Sequence, residues 1–123
     1  LKKGTPYVIG CSTELEQLIE SEQIHKGITA TAGGFYGPQG RVLRLGIQDS
    51  ALNSKMDSFS FEGHRITNLE METSAIYGLG KLLGHHCLSM NAIIANRANG
   101  TFSQDPYKAV DELILYTLNK LAQ

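Results

Sequence analysis

The chain has 123 residues, 41% of them hydrophobic and 19% charged, with a formal net charge of -1. That is enough apolar material for one domain or part of one, and it excludes a disordered or coiled-coil chain. The near-neutral balance has no basic block and no acidic tail, and no apolar run nears the roughly 20 residues of a membrane helix; both facts weigh against a nucleic-acid or membrane partner.

The first residue is Leu1 rather than Met and strand-like sequence follows almost at once, so a segment of a longer protein is expected. No signal peptide is visible. Pro6 to Gly10, PYVIG, predicts a short buried strand. Ser12 or Thr13 then caps a helix whose Leu15, Leu18 and Ile19 fall at i, i+3 and i+4. Lys26 to Gly34, KGITATAGG, is a β-branched run ended by glycines, which predicts a strand entering a loop. Phe35 to Arg41, FYGPQGR, is rich in turn residues, yet it carries two aromatics, an amide and an arginine that a plain linker would rarely need. Val42 to Gly46 extends this region or pairs as an edge strand, Leu52 to Phe59 predicts a short helix, and Arg65 to Met71 a brief strand. The helix predicted over Thr73 to Leu83 carries Ile76, Leu79, Leu82 and Leu83 on overlapping core faces and stops at Gly84. Cys87 to Arg97, CLSMNAIIANR, predicts a buried strand. After a loop over Ala98 to Pro106, Asp105-Pro106 supplies an N-cap and a first-turn proline. The last helix follows, with Val110, Leu113, Ile114, Thr117, Leu118 and Leu121 in a regular stripe. Cys11 and Cys87 lack metal-type spacing and lie among apolar residues, so they read as buried thiols in a reducing cytoplasm rather than a disulfide.

Strands alternating with helices place the chain in the α/β class, with a central and at least partly parallel sheet. Ligands of such sheets bind at the carboxyl ends of the strands. Three polar clusters fall there: Gly33 to Arg41, Asn68 to Thr73, and Ala95 to Arg97. Glu70 and Glu72 have a bland reading as acids at a helix start, contributing ~0.3–1 kcal/mol each. They have a second reading, because a carboxylate on a strand-to-helix turn can accept both hydrogen bonds of a ribose diol. Gln39 and Arg41 are either exposed loop residues or a recognition pair. The amide matches a nucleobase edge of the O=C–N–H kind, and the arginine can stabilise negative charge on a carbonyl oxygen. Phe35 could offer its ring to a flat base. Arg97 either reaches solvent or supports that same loop. His25, His64, His85 and His86 lie at element ends and are weak signals. No histidine or third acid stands at metal-ligand spacing from Glu70 and Glu72, and nothing matches a Ser-His-Asp set, a Cys-His pair or a phosphate loop.

In order and spacing, FYGPQGR, NLEMETSAIYGL and IIANR resemble the uridine phosphorylase branch of the nucleoside phosphorylase-I family. The resemblance covers the whole chain, residues 1–123, as the C-terminal part of one nucleoside phosphorylase domain. It implies a three-layer α/β/α fold with a central mixed sheet, of which this is a partial chain. It also implies reversible phosphorolysis of a nucleoside to free base and ribose 1-phosphate. No cofactor is implied; inorganic phosphate is the co-substrate, and its site lies in an N-terminal part absent here. Carried over by motif, Gln39 and Arg41 hold the uracil edge and act on the leaving base. Phe35, Ile94 and Ala95 line the base pocket, and Arg97 supports the Gln39/Arg41 end. Met71 and Glu72 bind the ribose, with Glu70 close by. Purine-directed relatives commonly carry Ser-Asp where this chain has Asn96-Arg97, which favours a pyrimidine here. Leu69 departs from relatives with an aromatic at that place. The expected partners are the small-molecule nucleoside and phosphate, with neither nucleic acid nor membrane. A cytoplasmic homo-oligomer built from dimers, often a hexamer, is the expected assembly.

Overall fold

The computed structural model describes residues 6–96 and 99–123. In chain order the elements are α1 (Thr13–Ile19), β1 (Ile28–Thr31), a 3-10 turn (Gly37–Gln39), α2 (Leu52–Ser58), β2 (Ser60–Phe61) and β3 (His64–Glu70). They continue with α3 (Thr73–Leu83), β4 (Ala95–Asn96), β5 (Thr101–Phe102) and α4 (Pro106–Leu121). The main sheet has the order β1-β3-β2; β1 runs parallel to β3, and β2 antiparallel to it. The β2–β3 hairpin turns through Glu62 and Gly63, both at positive φ (49° and 81°). Two left-handed residues in succession suit a tight hairpin, whose twist matches that of the strands. The sheet is therefore mixed, as expected for this α/β chain.

Helix ends follow the local chemistry. The Ser12 hydroxyl accepts from Leu15 N at 3.3 Å and opens α1. The Asp105 carboxylate accepts from Lys108 N at 3.0 Å, and Pro106 opens α4 without needing a donor. Gly84 ends α3 at φ 75°, where a side chain would be strained. Helix α1 packs on α4, and Tyr116 ties the two by donating to the Ile19 carbonyl at 2.5 Å. The Tyr77 hydroxyl of α3 accepts from Ser89 N at 2.7 Å, so the segment after α3 is anchored back onto it.

Two expected strands do not form ladders. Residues 6–10 and 87–94 are extended or irregular, and only Ala95–Asn96 pairs, with Thr101–Phe102. A strand is defined by its hydrogen-bonded neighbour. Both segments line a groove of about 1230 Å³ along the unpaired edge of β1, and no strand among the described residues lies across it. Val42 to Gly46 is also irregular. The expected core faces of the helices are exposed as well: Leu79 is 61% and Leu82 84% exposed on α3. Among the described residues Ile19 is the sole buried large apolar side chain. Nothing in the described residues covers these faces, which is why the periodicity that marks them does not translate into burial. Cys11 and Cys87 are free and half-buried rather than fully buried.

Candidate functional site

The segments that carry the two main clusters leave the sheet side by side because of strand register. In the parallel β1–β3 pair Thr31 lies opposite Glu70, and Ala32 N continues the ladder by donating to the Glu70 carbonyl at 2.9 Å. The loop that leaves β1 and the turn that leaves β3 therefore start side by side, at the carboxyl edge of the sheet.

The β1 loop folds on itself. Tyr36 O accepts from both Gln39 N (3.1 Å) and Arg41 N (3.0 Å), closing a tight turn around Pro38. Gly40 completes it at φ 76°, and a Cβ there would overlap the Asn53 side chain of α2. Asn53 Nδ2 donates to the Gly40 carbonyl at 3.2 Å, which pins the loop to α2. Gln39 is buried, 3% exposed. Arg41 Nη1 donates to Gln39 Oε1 at 2.6 Å and also to the Phe35 carbonyl. Its guanidinium carbon lies 3.5 Å from the centre of the Phe35 ring, a cation–π contact, while Tyr36 meets that ring edge-on at 5.2 Å. Phe35, Gln39 and Arg41 thus form one contiguous cluster.

The β3 turn divides its two acids. Glu70 Oε1 accepts from the Thr31 hydroxyl at 2.5 Å, and Oε2 accepts from Glu72 N (2.7 Å) and Thr73 N (2.6 Å). Burial is the largest single influence on this carboxyl and pushes its pKa up. The Thr31 hydroxyl and the two amides, with a smaller contribution from the Thr73 hydroxyl, together outweigh it, and the pKa ends below the usual carboxylate value. Glu72 is exposed; its Oε2 accepts from Met71 N at 3.0 Å. Met71 is exposed too.

The described residues of the third cluster lie off the main sheet. Ile94 and Ala95 are exposed; Ala95 belongs to the separate two-stranded β4–β5 sheet, and Ser103 N donates to the Ile94 carbonyl beside it. Arg97 lies outside the described residues. Thr31 and Thr73 are contributors that sequence reading did not single out. Their types are ordinary for a strand end and a first helical turn, and only the β1–β3 register brings Thr31 to Glu70. Among the described residues no group of three or more His, Cys, Asp or Glu side chains is placed to hold a metal ion, and no helix is long and apolar enough to cross a membrane.

Compared with known families, residues 4–121 match the phosphorylase superfamily. The chain belongs to that superfamily. No curated protein and no solved structure matched it. Membership supports a nucleoside phosphorylase or nucleosidase-like activity on a small-molecule substrate, and the mixed α/β architecture agrees with the phosphorylase fold. In this phosphorylase-superfamily chain the large groove along β1 takes in Thr31, Thr73 and Ser74 but none of Gln39, Arg41 and Glu72.

Proposed function

We propose that this chain is the base- and ribose-binding part of a uridine phosphorylase, a cytoplasmic pentosyltransferase that splits uridine with inorganic phosphate. The observation that carries the reading is the register of β1 against β3. It starts the turn bearing Glu72 beside the start of the loop that carries the hydrogen-bonded Gln39–Arg41 pair, which supports reading the two as one site. A ribose held by one and a pyrimidine held by the other would be joined by a single glycosidic bond.

The chemistry follows from charge. The glycosidic bond breaks through an oxocarbenium-like state, and the departing pyrimidine carries the electrons away as an anion. Arg41 is always cationic, and with Gln39 it stabilises that anion more than the neutral ground state. Glu72 accepts from the 2′- and 3′-hydroxyls and holds C1′ for in-line attack by phosphate. Met71 lies under the sugar, and Ile94, Ala95 and Arg97 complete the base pocket. Because Arg41 covers one face of Phe35, a base stacking on that ring takes its other face or displaces the guanidinium. Glu70 belongs to the same ribose end.

The apolar faces left open on α3 and α4 support reading residues 1–123 as the C-terminal part of a larger three-layer α/β/α domain. The phosphate site would then sit in the N-terminal part, and further copies of the protein would complete a homo-oligomer. No cofactor is needed.

The test is release of uracil from uridine by the full polypeptide, with and without phosphate. Uracil formed only when phosphate is present supports the proposal. Equal release in its absence indicates a nucleosidase, and binding of uridine without turnover indicates a non-catalytic module.

A further inference from the structure

Glu70 and Glu72 look alike in the sequence, but their surroundings differ. Glu70 engages both oxygens with three protein donors: the Thr31 hydroxyl, Glu72 N and Thr73 N. Thr31 Oγ1 is itself held from the other side, accepting from Ser74 N at 3.0 Å. Thr73 is 7% exposed, so this end of α3 is shielded. The result is a closed circuit. It runs from the last residue of β1 to the last residue of β3, through both amides that begin α3, and back to Thr31. The peptide of Glu72 is one link of it. The side chain of Glu72 lies outside it and touches only Met71 N among the hydrogen bonds described.

We infer that Thr31 is a positioning residue for the ribose site, acting on Glu72 through Glu70. Its hydroxyl orients the Glu70 carboxylate by donating to it, and that carboxylate fixes the amide of Glu72 and the start of α3. The direction in which the Glu72 side chain leaves the backbone is set by this peptide plane. Glu70 is accordingly a structural acid that shapes the turn, and Glu72 is the acid left to meet a sugar. A threonine suits the role because its β-branched stem is held by the strand while its hydroxyl both donates and accepts. Serine would keep both hydrogen bonds; valine would keep the shape and lose both.

The inference rests on the proposed nucleoside chemistry, so its test has one arm that depends on that chemistry and one that does not. In the full polypeptide, Thr31→Val should raise KM for uridine about tenfold, the scale of a lost charge-assisted hydrogen bond. KM for 2′-deoxyuridine, which offers Glu72 one hydroxyl fewer, should rise less. Thr31→Ser should restore uridine KM to within about twofold. In parallel, hydrogen exchange at the amides of Glu72 and Thr73 should quicken in Thr31→Val and stay slow in Thr31→Ser, with helix α4 unaffected. Unchanged exchange at those amides in Thr31→Val would overturn the inference whatever the enzyme does. Equal losses on the ribo- and deoxyribonucleoside, with no rescue by serine, would overturn it also. If exchange responds as stated while the wild type turns over no uridine, the circuit stands and the assigned reaction fails.

Discussion

Replacing Glu70 by Gln keeps the size of the side chain and removes its charge. Glu70 accepts three hydrogen bonds, two of them from backbone amides at the start of α3. With its remaining carbonyl turned to Glu72 N and Thr73 N, the glutamine can still accept both amide bonds, now as neutral ones. A hydrogen bond to a charged group contributes about 1.5–3 kcal/mol and a neutral one about 0.5–1.5 kcal/mol, so each amide bond weakens by about 1 kcal/mol. The hydroxyl hydrogen of Thr31 loses its acceptor at the same time. With the lost Thr31 bond included, the sum is a loss of about 4 kcal/mol at neutral pH. The dependence on pH has a definite sign. The carboxyl of Glu70 is held below its usual pKa, because burial pushes it up less than the Thr31 hydroxyl, the two amides and the Thr73 hydroxyl together pull it down. Its contribution is therefore complete above the ordinary carboxylate range, and it is lost as the pH falls through the lowered folded value. Urea unfolding of wild type and Glu70→Gln, run at about pH 7 and again at about pH 3, measures this directly. The gap between the two proteins should be widest at neutral pH and narrow on acidification. A Glu70→Gln protein as stable as wild type at neutral pH would refute the reasoning. So would a gap that does not change with pH, which would point to packing rather than charge.

Three further outcomes are expected. Arg41→Ala should lower turnover of uridine about 100-fold, the usual loss when one charge-stabilising donor is removed, while circular dichroism shows unchanged helix content. Gly40→Ala should cost about 1–2 kcal/mol in urea unfolding and weaken uridine binding. The residue sits at φ 76°, and the added methyl meets the Asn53 side chain. Asp105→Ala should destabilise by about 1 kcal/mol through loss of the α4 cap, with Asp105→Asn recovering most of it and neither changing KM.

The helices were legible because their signals are local. Thr73–Leu83 and Pro106–Leu121 can be read from an apolar stripe between an N-terminal polar residue and a stop, and Asp105-Pro106 and Gly84 act as their chemistry predicts. The strands over residues 6–10 and 87–97 were not legible in the same way. An apolar run records that a segment avoids water, whereas a ladder needs a neighbour that the run does not name. The same distinction divides the site. Phe35, Gln39 and Arg41 lie within seven residues of one another, so their cluster could be expected, although not the guanidinium lying across the ring. Thr31 and Glu70 are far apart in the chain, and only the parallel register makes them partners. The different surroundings of Glu70 and Glu72 also depend on that register, and identical side chains carry no sign of it. Of the residues grouped by motif with the base pocket, Ala95 belongs to a second, two-stranded sheet and Ile94 directly precedes it.

The most direct test of the account is the phosphate dependence of uridine cleavage by the full polypeptide, followed by the appearance of uracil and ribose 1-phosphate. The account predicts uracil and ribose 1-phosphate in equal amounts, formed only with phosphate present, and inosine left intact under the same conditions. Free ribose released without phosphate, or cleavage of inosine in preference to uridine, would contradict it.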